Sequence, residues 1–523
     1  MSEDTTVTGM TGAQALVSTL ANNGVDVCFA NPGTSEMHLV TALDGESRIK
    51  SVLCLFEGIA TGAADGYARV AGKPAMTLLH LGAGYLNAGA NIHNAKRGHT
   101  PMINVIGDHA TYHLKYEAPL TSDIMGLAAP NSIWIKRVSA AGSAGTLAAE
   151  AYAASFGPLS GPVSLILPAD SAWDEGGQAG PNLTIPTKRE PDPTTIRVAA
   201  DALKTAEKPA LIINGTALLG DGLVSAGRLK AAGVRVLTDT FYSIMERGAG
   251  RYLPERMQYF AEGAMADLDG VDLMLIAGTQ VPAAFFAYPG KPSVLVPEGC
   301  TPLSLCDASG DSAAALAALA DAIGATEHAP AQQLALPDRP AGKLDAFKVG
   351  AAITRHLPED AVVADDGVSN GFGTYMATET ARPHRWMMLT GGAIGYGMPA
   401  AVGAALGAPE SPVLCITGDG AGMYTNQALW TMARENLNAV TVVFVNHTYR
   451  ILQIELYRTG AGNPGPAANS MLTLGNPEID WAQLAASMGV TGHNAHTGEE
   501  LDALLETAFA EGGPHLIAAH LPG

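Results

Sequence analysis

The chain of 523 residues lacks several things at once, and each shortage narrows its function. Its five cysteines (Cys28, Cys54, Cys300, Cys306 and Cys415) are scattered, odd in number and never spaced as CxxC. Neither a zinc site nor a disulfide framework is expected, and reduced thiols suit a cytoplasmic protein. Positive charge is scarce. The formal net charge of −20 argues against a nucleic-acid or anionic-membrane partner, because nothing offsets phosphate repulsion. An anionic small-molecule substrate would need a local positive device, such as a bound metal or a helix N-terminus. Long apolar runs are missing too. No stretch reaches membrane-spanning length, and the start, MSEDTTVTGM, has neither the basic nor the apolar region of a secretion signal. A cytoplasmic location is expected.

What is present is apolar residues at 47%, charged residues at only 15%, and 60 glycines, the make-up of a tightly packed α/β protein with many turns. The length calls for more than one core. Two stretches rich in Pro, Gly and polar residues, 175–192 and 325–343, read as linkers and set off three parts. In each part, short apolar runs alternate with helix-length segments. VDVCFANPG, AMTLLHLG, MINVIGD and VSLILPA are the candidate strands of the first part. ALIING, VRVLTD, DLMLIAG and SVLVPEG serve the second, and AVVADDG, VLCITGDG, AVTVVFVN and HLIAAHL the third. Such runs imply parallel sheets covered on both faces. The expected fold class is α/β, with three doubly wound parallel-sheet domains.

Residues 411–450 carry the most chemistry: SPVLCITGDGAGMYTNQALWTMARENLNAVTVVFVNHTYR. The segment reads as strand, Gly-Asp-Gly turn, helix, strand, then Asn446-His447-Thr448. Asp419 and Asn446 end successive parallel strands, so both reach the carboxyl edge of the sheet, where open α/β sheets bind ligands. A carboxylate, an amide oxygen and a backbone carbonyl suit Mg²⁺ or Ca²⁺. Gly420 and Ala421, opening the helix, can turn backbone N–H groups toward phosphate. An ordinary acidic turn before a helix is the alternative at this point. Two further acid–base candidates have equally plain alternatives. Glu57, in CLFEGIATGAADGYARVAGKPA (54–75), opens a helix and would complement its dipole. His80 ends an apolar strand, where a core histidine is common.

The 411–450 segment resembles the cofactor motif of thiamine-diphosphate-dependent enzymes, which begins with GDG and ends in an Asn pair. The resemblance implies thiamine diphosphate and Mg²⁺ as cofactors, with Asp419, Asn446 and the carbonyl of Thr448 as metal ligands. The first Asn of the pair is Val445 here; the ligand position itself is kept. Glu57, followed by small residues and a GYAR run, matches the family's glutamate that hydrogen-bonds the aminopyrimidine ring. GGAIGYG (391–397) resembles the segment that holds the cofactor bent, with Ile394 as the apolar wedge and the Gly392 carbonyl as acceptor for the pyrimidine amine. DGVSN (366–370) resembles the diphosphate-proximal loop, with Ser369 as a hydroxyl donor.

The whole chain is similar to the three-domain decarboxylase/carboligase branch, which includes benzoylformate decarboxylases and acetolactate synthases. This implies a pyrimidine-binding domain over 1–185, a central domain over 190–328 and a diphosphate- and metal-binding domain over 340–523. It also implies a homodimer or homotetramer whose active sites lie between subunits. NPGTSEMHLV (31–40) and LLHLGAGYLNAGANIHNA (78–95) put Thr34 on the branch's substrate-binding serine, beside the cofactor, and His80 on its first-domain histidine, a proton relay.

The central histidine of benzoylformate decarboxylases has no counterpart. GTQVPAAFFAYPG (278–290) places Phe285 and Phe286 there, which argues against benzoylformate itself as substrate. His113, or His109, in GDHATYHLKYEAP (107–119), is the candidate replacement proton carrier, with ordinary loop histidines as the alternative. The flavin-contacting run of acetolactate synthases is missing from the same segment, so no FAD is expected. Their glutamine is Leu120 here. The expected function is non-oxidative decarboxylation or carboligation of a 2-oxo acid. Acetolactate synthase-type transfer is the runner-up, and a non-catalytic thiamine-binding relative is the alternative from another class.

Overall fold

The computed structural model describes residues 9–522. The chain divides into two compact units. One comprises Met1–Thr187, Gly391–Pro409 and Thr425–Leu437; the other comprises Lys188–Thr390, Glu410–Tyr424 and Asn438–Gly523.

The first unit is built on a six-stranded parallel sheet. Its central strands, Ala75–Leu79, Met102–Asp108 and Pro162–Pro168, are mostly apolar and buried along their whole length, and where polar residues interrupt them they pair, the Thr77 hydroxyl donating to Asn104 Oδ1 at 2.7 Å. The strand Val27–Ala30 lies between Lys50–Leu53 and Ala75–Leu79. The chain therefore leaves Val27–Ala30 on one side and returns on the other, which opens a crevice at the carboxyl ends of these strands. The helix Glu57–Ala71 packs on the helix Gly397–Gly407 through glycines. A Cβ at Gly66 would lie 2.1 Å from the Ala400 carbonyl oxygen, and one at Gly403 would lie 1.8 Å from that of Ala63. Gly72, at φ 69°, closes the first of these helices in the left-handed conformation.

The second unit holds two sheets. In the five-stranded parallel one, Pro209–Ile213 lies between Arg235–Thr238 and Leu273–Ala277. In the seven-stranded one, Ala361–Asp366 lies between His384–Met388 and Val413–Gly418, repeating the order reversal of the first unit. Its edge strand, Ile244–Arg247, runs antiparallel to His384–Met388 and comes from the stretch that otherwise forms the five-stranded sheet.

Three local expectations differ from the structure. SVLVPEG is not a strand: Pro297 and the left-handed Gly299 interrupt it, Val294 is 55% exposed, and the sheet takes Thr301–Cys306 instead. The stretch expected as a first linker starts with a strand, Glu175–Gly177, paired with Met10–Thr11. Strands at or beside sheet edges, among them Lys50–Leu53, Trp134–Arg137 and Thr491–Ala495, carry polar residues and do not stand out as apolar runs.

Candidate active site

In the first unit, the crevice is lined by the turns after Val27–Ala30, Lys50–Leu53 and Ala75–Leu79. His80 follows the last of these and caps the helix Leu81–Arg97. Its Nδ1 lies 2.8 Å from Glu36 Oε2 and 3.4 Å from Ser35 Oγ. Glu36 is fully buried, and it also accepts the Gly33 N–H at 2.7 Å and the Ser35 hydroxyl at 2.8 Å. An acceptor carboxylate at Nδ1 fixes that nitrogen as the N–H, which leaves Nε2 unprotonated in the neutral ring. Two glycines make room for this pair. A Cβ at Gly33 would lie 2.2 Å from His80 Nδ1, and one at Gly107 would lie 1.7 Å from Glu36 Oε1.

Glu57 opens its helix with the side chain buried. Asn87 Nδ2 donates to its Oε2 at 2.9 Å, and the missing side chain of Gly84 leaves space 3.1 Å from Oε1. Ile59 is fully buried beneath it, whereas Leu55 stands 46% exposed. The 391–397 loop belongs to the same unit, and alternate carbonyls along it are held. His93 Nε2 donates to Gly391 O at 3.1 Å, Asn94 Nδ2 to Ala393 O at 2.9 Å, and Thr425 Oγ1 to Gly395 O at 2.9 Å. Gly392, at φ 74°, is exposed, and no described residue hydrogen-bonds its carbonyl. Ile394 is half-buried and Tyr396 fully buried.

Other expected residues fare differently. Thr34 is exposed at the head of a short 3-10 turn, and its neighbours Ser35 and Glu36 are the ones that meet His80. His113 sits in the loop after Met102–Asp108, its ring 5.3 Å from that of His109 and 5.9 Å from that of Tyr116. Among the described residues no hydrogen bond or ring contact joins it to Glu57 or His80. Sequence reasoning missed Glu36, Ser35 and the amides of Asn87, Asn91 and Asn94. The amides recur at helical spacing along one helix, which is a visible signal. Glu36 has only its place in a Gly-containing loop.

In the second unit, Asp419 follows Val413–Gly418 at the point where the strand order reverses. It is buried, and its carboxylate accepts only backbone N–H groups: Gly420 at 2.9 Å, Asn446 at 3.1 Å and His447 at 2.7 Å. Burial raises its pKa above the usual carboxylate value, against the pull of these three donors. Asn446 and Thr448 are buried beside it, with Asn446 Oδ1 accepting the Thr448 N–H at 3.1 Å. The donor set is all oxygen and the buried carboxylate carries no cationic side chain, so a small hard cation such as Mg²⁺ fits it. Gly420 N–H is committed to Asp419 Oδ1, which leaves Ala421 as the helix-opening donor expected to face phosphate. Gly418 has open space where a side chain would stand, while the Tyr449 ring occupies that of Gly420. Ser369 is half-buried in the first turn of the helix Val368–Ala377, which follows Ala361–Asp366, the strand paired with the one that leads to Asp419. Val445, standing where an asparagine was expected, is a buried strand residue.

Comparison with known proteins gives a consistent picture. Residues 10–127 match the thiamine pyrophosphate enzyme N-terminal TPP-binding domain, and residues 367–519 match the C-terminal TPP-binding domain. A Mycobacterium tuberculosis protein provisionally named acetolactate synthase large subunit IlvX is 49% identical over 515 residues, covering 98% of this chain and 99% of its own. Benzoylformate decarboxylase of Pseudomonas aeruginosa is 28% identical, covering 95% and 96%. Among solved structures, the thiamine diphosphate-dependent 4-hydroxybenzoylformate decarboxylase of Rhodococcus jostii RHA1 superposes with a TM-score of 0.85 at 22% identity. That superposition covers 98% of this chain and 99% of that one.

Proposed function

The chain belongs to the thiamine pyrophosphate enzyme family, and from that premise we propose that it is a Mg²⁺-dependent enzyme that cleaves or forms the C–C bond beside the carbonyl of a 2-oxo acid. It is a thiamine-diphosphate-dependent enzyme of the decarboxylase and acetolactate synthase group. When bound, thiamine diphosphate supplies a carbon nucleophile and the electron sink for decarboxylation.

The chain's own residues have separate tasks. Asp419, Asn446 and the Thr448 carbonyl would hold Mg²⁺, and Ala421 N–H and Ser369 would face the diphosphate. Ile394 would pack against the cofactor, and the Gly392 carbonyl would accept from its pyrimidine amine. Glu57 would share a proton with a ring nitrogen. His80, oriented by Glu36, moves a proton at Nε2 to or from the reacting carbon or oxygen. The observation that carries this reading is Glu57: a buried carboxylate with one amide donor, opening a helix beside an approach kept clear by Gly84.

In the family pattern, the glutamate and the metal motif of one active site come from different subunits, so we assign a homodimer or homotetramer. The first unit exposes Leu55, Leu86, Tyr112 and Tyr116, apolar surface that a second subunit would cover. Residues 1–185, 190–328 and 340–523 are assigned as pyrimidine-binding, central and diphosphate-binding domains. A cytoplasmic location accords with five cysteines that are all free thiols. No helix among the described residues is long and apolar enough to cross a membrane.

Decarboxylation and ligation share these residues and part only at the second carbonyl. The resemblance to the Mycobacterium tuberculosis protein favours an acetolactate-forming variant as the second reading. The test supplies protein with thiamine diphosphate and Mg²⁺ and follows carbon dioxide release from pyruvate and from benzoylformate, with products identified by NMR. Aldehyde marks a decarboxylase, and acetolactate or acetoin a carboligase. Glu57→Gln should bind the cofactor yet lose the reaction, and turnover at the wild-type rate in that variant would refute the assignment.

A further inference from the structure

Outside the residues assigned to thiamine chemistry, one group among the described residues has the composition of a transition-metal centre. His447, Glu478 and His520 hold ligand atoms that all lie within 4.8 Å of one another. They come from three segments that the fold ties together. His520 ends the strand Pro514–His520 in register with Val445, two positions before His447. The Leu474 N–H donates to the His447 carbonyl at 2.7 Å and Thr448 Oγ1 to the Leu472 carbonyl at 2.7 Å. The segment leading to Glu478 is thereby fastened to the same turn.

The local geometry suits an ion. His447 Nε2 stands 3.4 Å from Glu478 Oε1. Zn–N and Zn–O bonds of about 2.0–2.1 Å at a tetrahedral angle separate two ligand atoms by roughly 3.3 Å. That pair therefore already has the edge length of a coordination tetrahedron. His520 Nε2 lies 2.9 Å from Asn494 Oδ1 and donates to it, which leaves the Nδ1 lone pair for a ligand bond. Metal-bound imidazoles are oriented by outer hydrogen bonds of this kind. His496 stacks on His520 with ring centroids 4.3 Å apart and an interplanar angle of 19°, placing a further imidazole beside the group.

Two imidazoles and one carboxylate favour Zn²⁺ or a neighbouring transition ion, whereas Mg²⁺ prefers oxygen donors and keeps its waters. We propose that His447, Glu478 and His520 form a second cation site of the Zn²⁺ class, separate from the all-oxygen set at Asp419 and Asn446. An ion there pins the turn that also carries Asn446 and Thr448.

The experiment uses untagged protein saturated with Mg²⁺ and thiamine diphosphate, titrated with Co²⁺ and then with Zn²⁺ as competitor. Visible d–d absorption reports the site. One equivalent of Co²⁺ should give the intense bands of a low-coordinate nitrogen-and-oxygen site, and Zn²⁺ should displace it. Affinity should weaken by at least about tenfold in Glu478→Gln and in His520→Ala, while a further tenfold excess of Mg²⁺ leaves the bands in place. Glu478 has a side chain 62% exposed, so its variant leaves the core untouched and decides the matter if His520→Ala fails to fold. Absence of the bands, their persistence at full affinity in Glu478→Gln, or their displacement by the further Mg²⁺ overturns the proposal.

Discussion

Replacing Glu36 by Gln isolates the electrostatic part of the His80 arrangement. In the folded chain, Oε2 accepts from Gly33 N–H at 2.7 Å and from His80 Nδ1 at 2.8 Å, while Oε1 accepts the Ser35 hydroxyl at 2.8 Å. A glutamine fills the same space. Its oxygen can keep the Gly33 and His80 bonds, and its NH₂ can donate to Ser35 Oγ, which then accepts. Three hydrogen bonds survive and the charge goes. A bond to a charged group contributes about 1.5–3 kcal/mol against about 0.5–1.5 for a neutral one, so the imidazole loses about 1–1.4 kcal/mol of support. If that support acts when His80 carries its proton, turnover falls about five- to tenfold, with KM and thiamine diphosphate affinity unchanged. Glu36→Ala should lose more, because it leaves the Gly33 N–H and the His80 ring without a buried partner. The assay is steady-state carbon dioxide release, with cofactor binding measured separately. Wild-type turnover in Glu36→Gln would refute electrostatic support of His80 by Glu36, and lost cofactor binding would make Glu36 structural.

Three further outcomes are expected. Burial, with help from Arg247, holds the His384 imidazole down at about 3, from an ordinary 6.5. The unfolded chain then takes up a proton that the folded one refuses, so stability is complete above pH ~6.5 and falls toward pH ~3 by up to roughly 1.4 kcal/mol per pH unit. His384→Phe should flatten the urea-midpoint profile between roughly pH 6 and pH 4; an unchanged slope would refute this. A Cβ at Gly403 would stand 1.8 Å from a backbone oxygen, so Gly403→Ala should cost about 1–3 kcal/mol by chemical denaturation, and a neutral result would mean the helices separate freely. The pKa of Asp419 is raised by burial, so its ionised form burdens the folded chain as pH rises through that value. Asp419→Asn should abolish the stabilisation by Mg²⁺ and thiamine diphosphate, about 2.7 kcal/mol at a hundredfold excess over Kd. A retained ligand shift would exclude Asp419 as the anchor.

Local patterns are legible in the amino-acid sequence. Fully buried parallel strands such as Pro162–Pro168 and Ala439–Val445 are apolar at all but one position, Ser164 and Thr441, so they stand out as runs. Asp419 and Asn446 end neighbouring strands joined by a single helical crossover, which makes their meeting a matter of strand, turn and helix order. Glu57 has no distinguishing chemistry of its own, and only the pattern of small residues and GYAR after it singles it out. The tertiary structure decided whatever depended on residues distant in the chain. The edge strand Ile244–Arg247 leaves its own stretch to pair with His384–Met388, a choice that four residues cannot announce. Glu36 meets His80 across 44 positions, and only because Gly33 and Gly107 vacate the space between them. His447, Glu478 and His520 likewise converge through strand register and loop hydrogen bonds. Hydrophobic periodicity records which face of an element is buried, whereas the partner of a polar side chain is set by the packing of elements far apart in sequence.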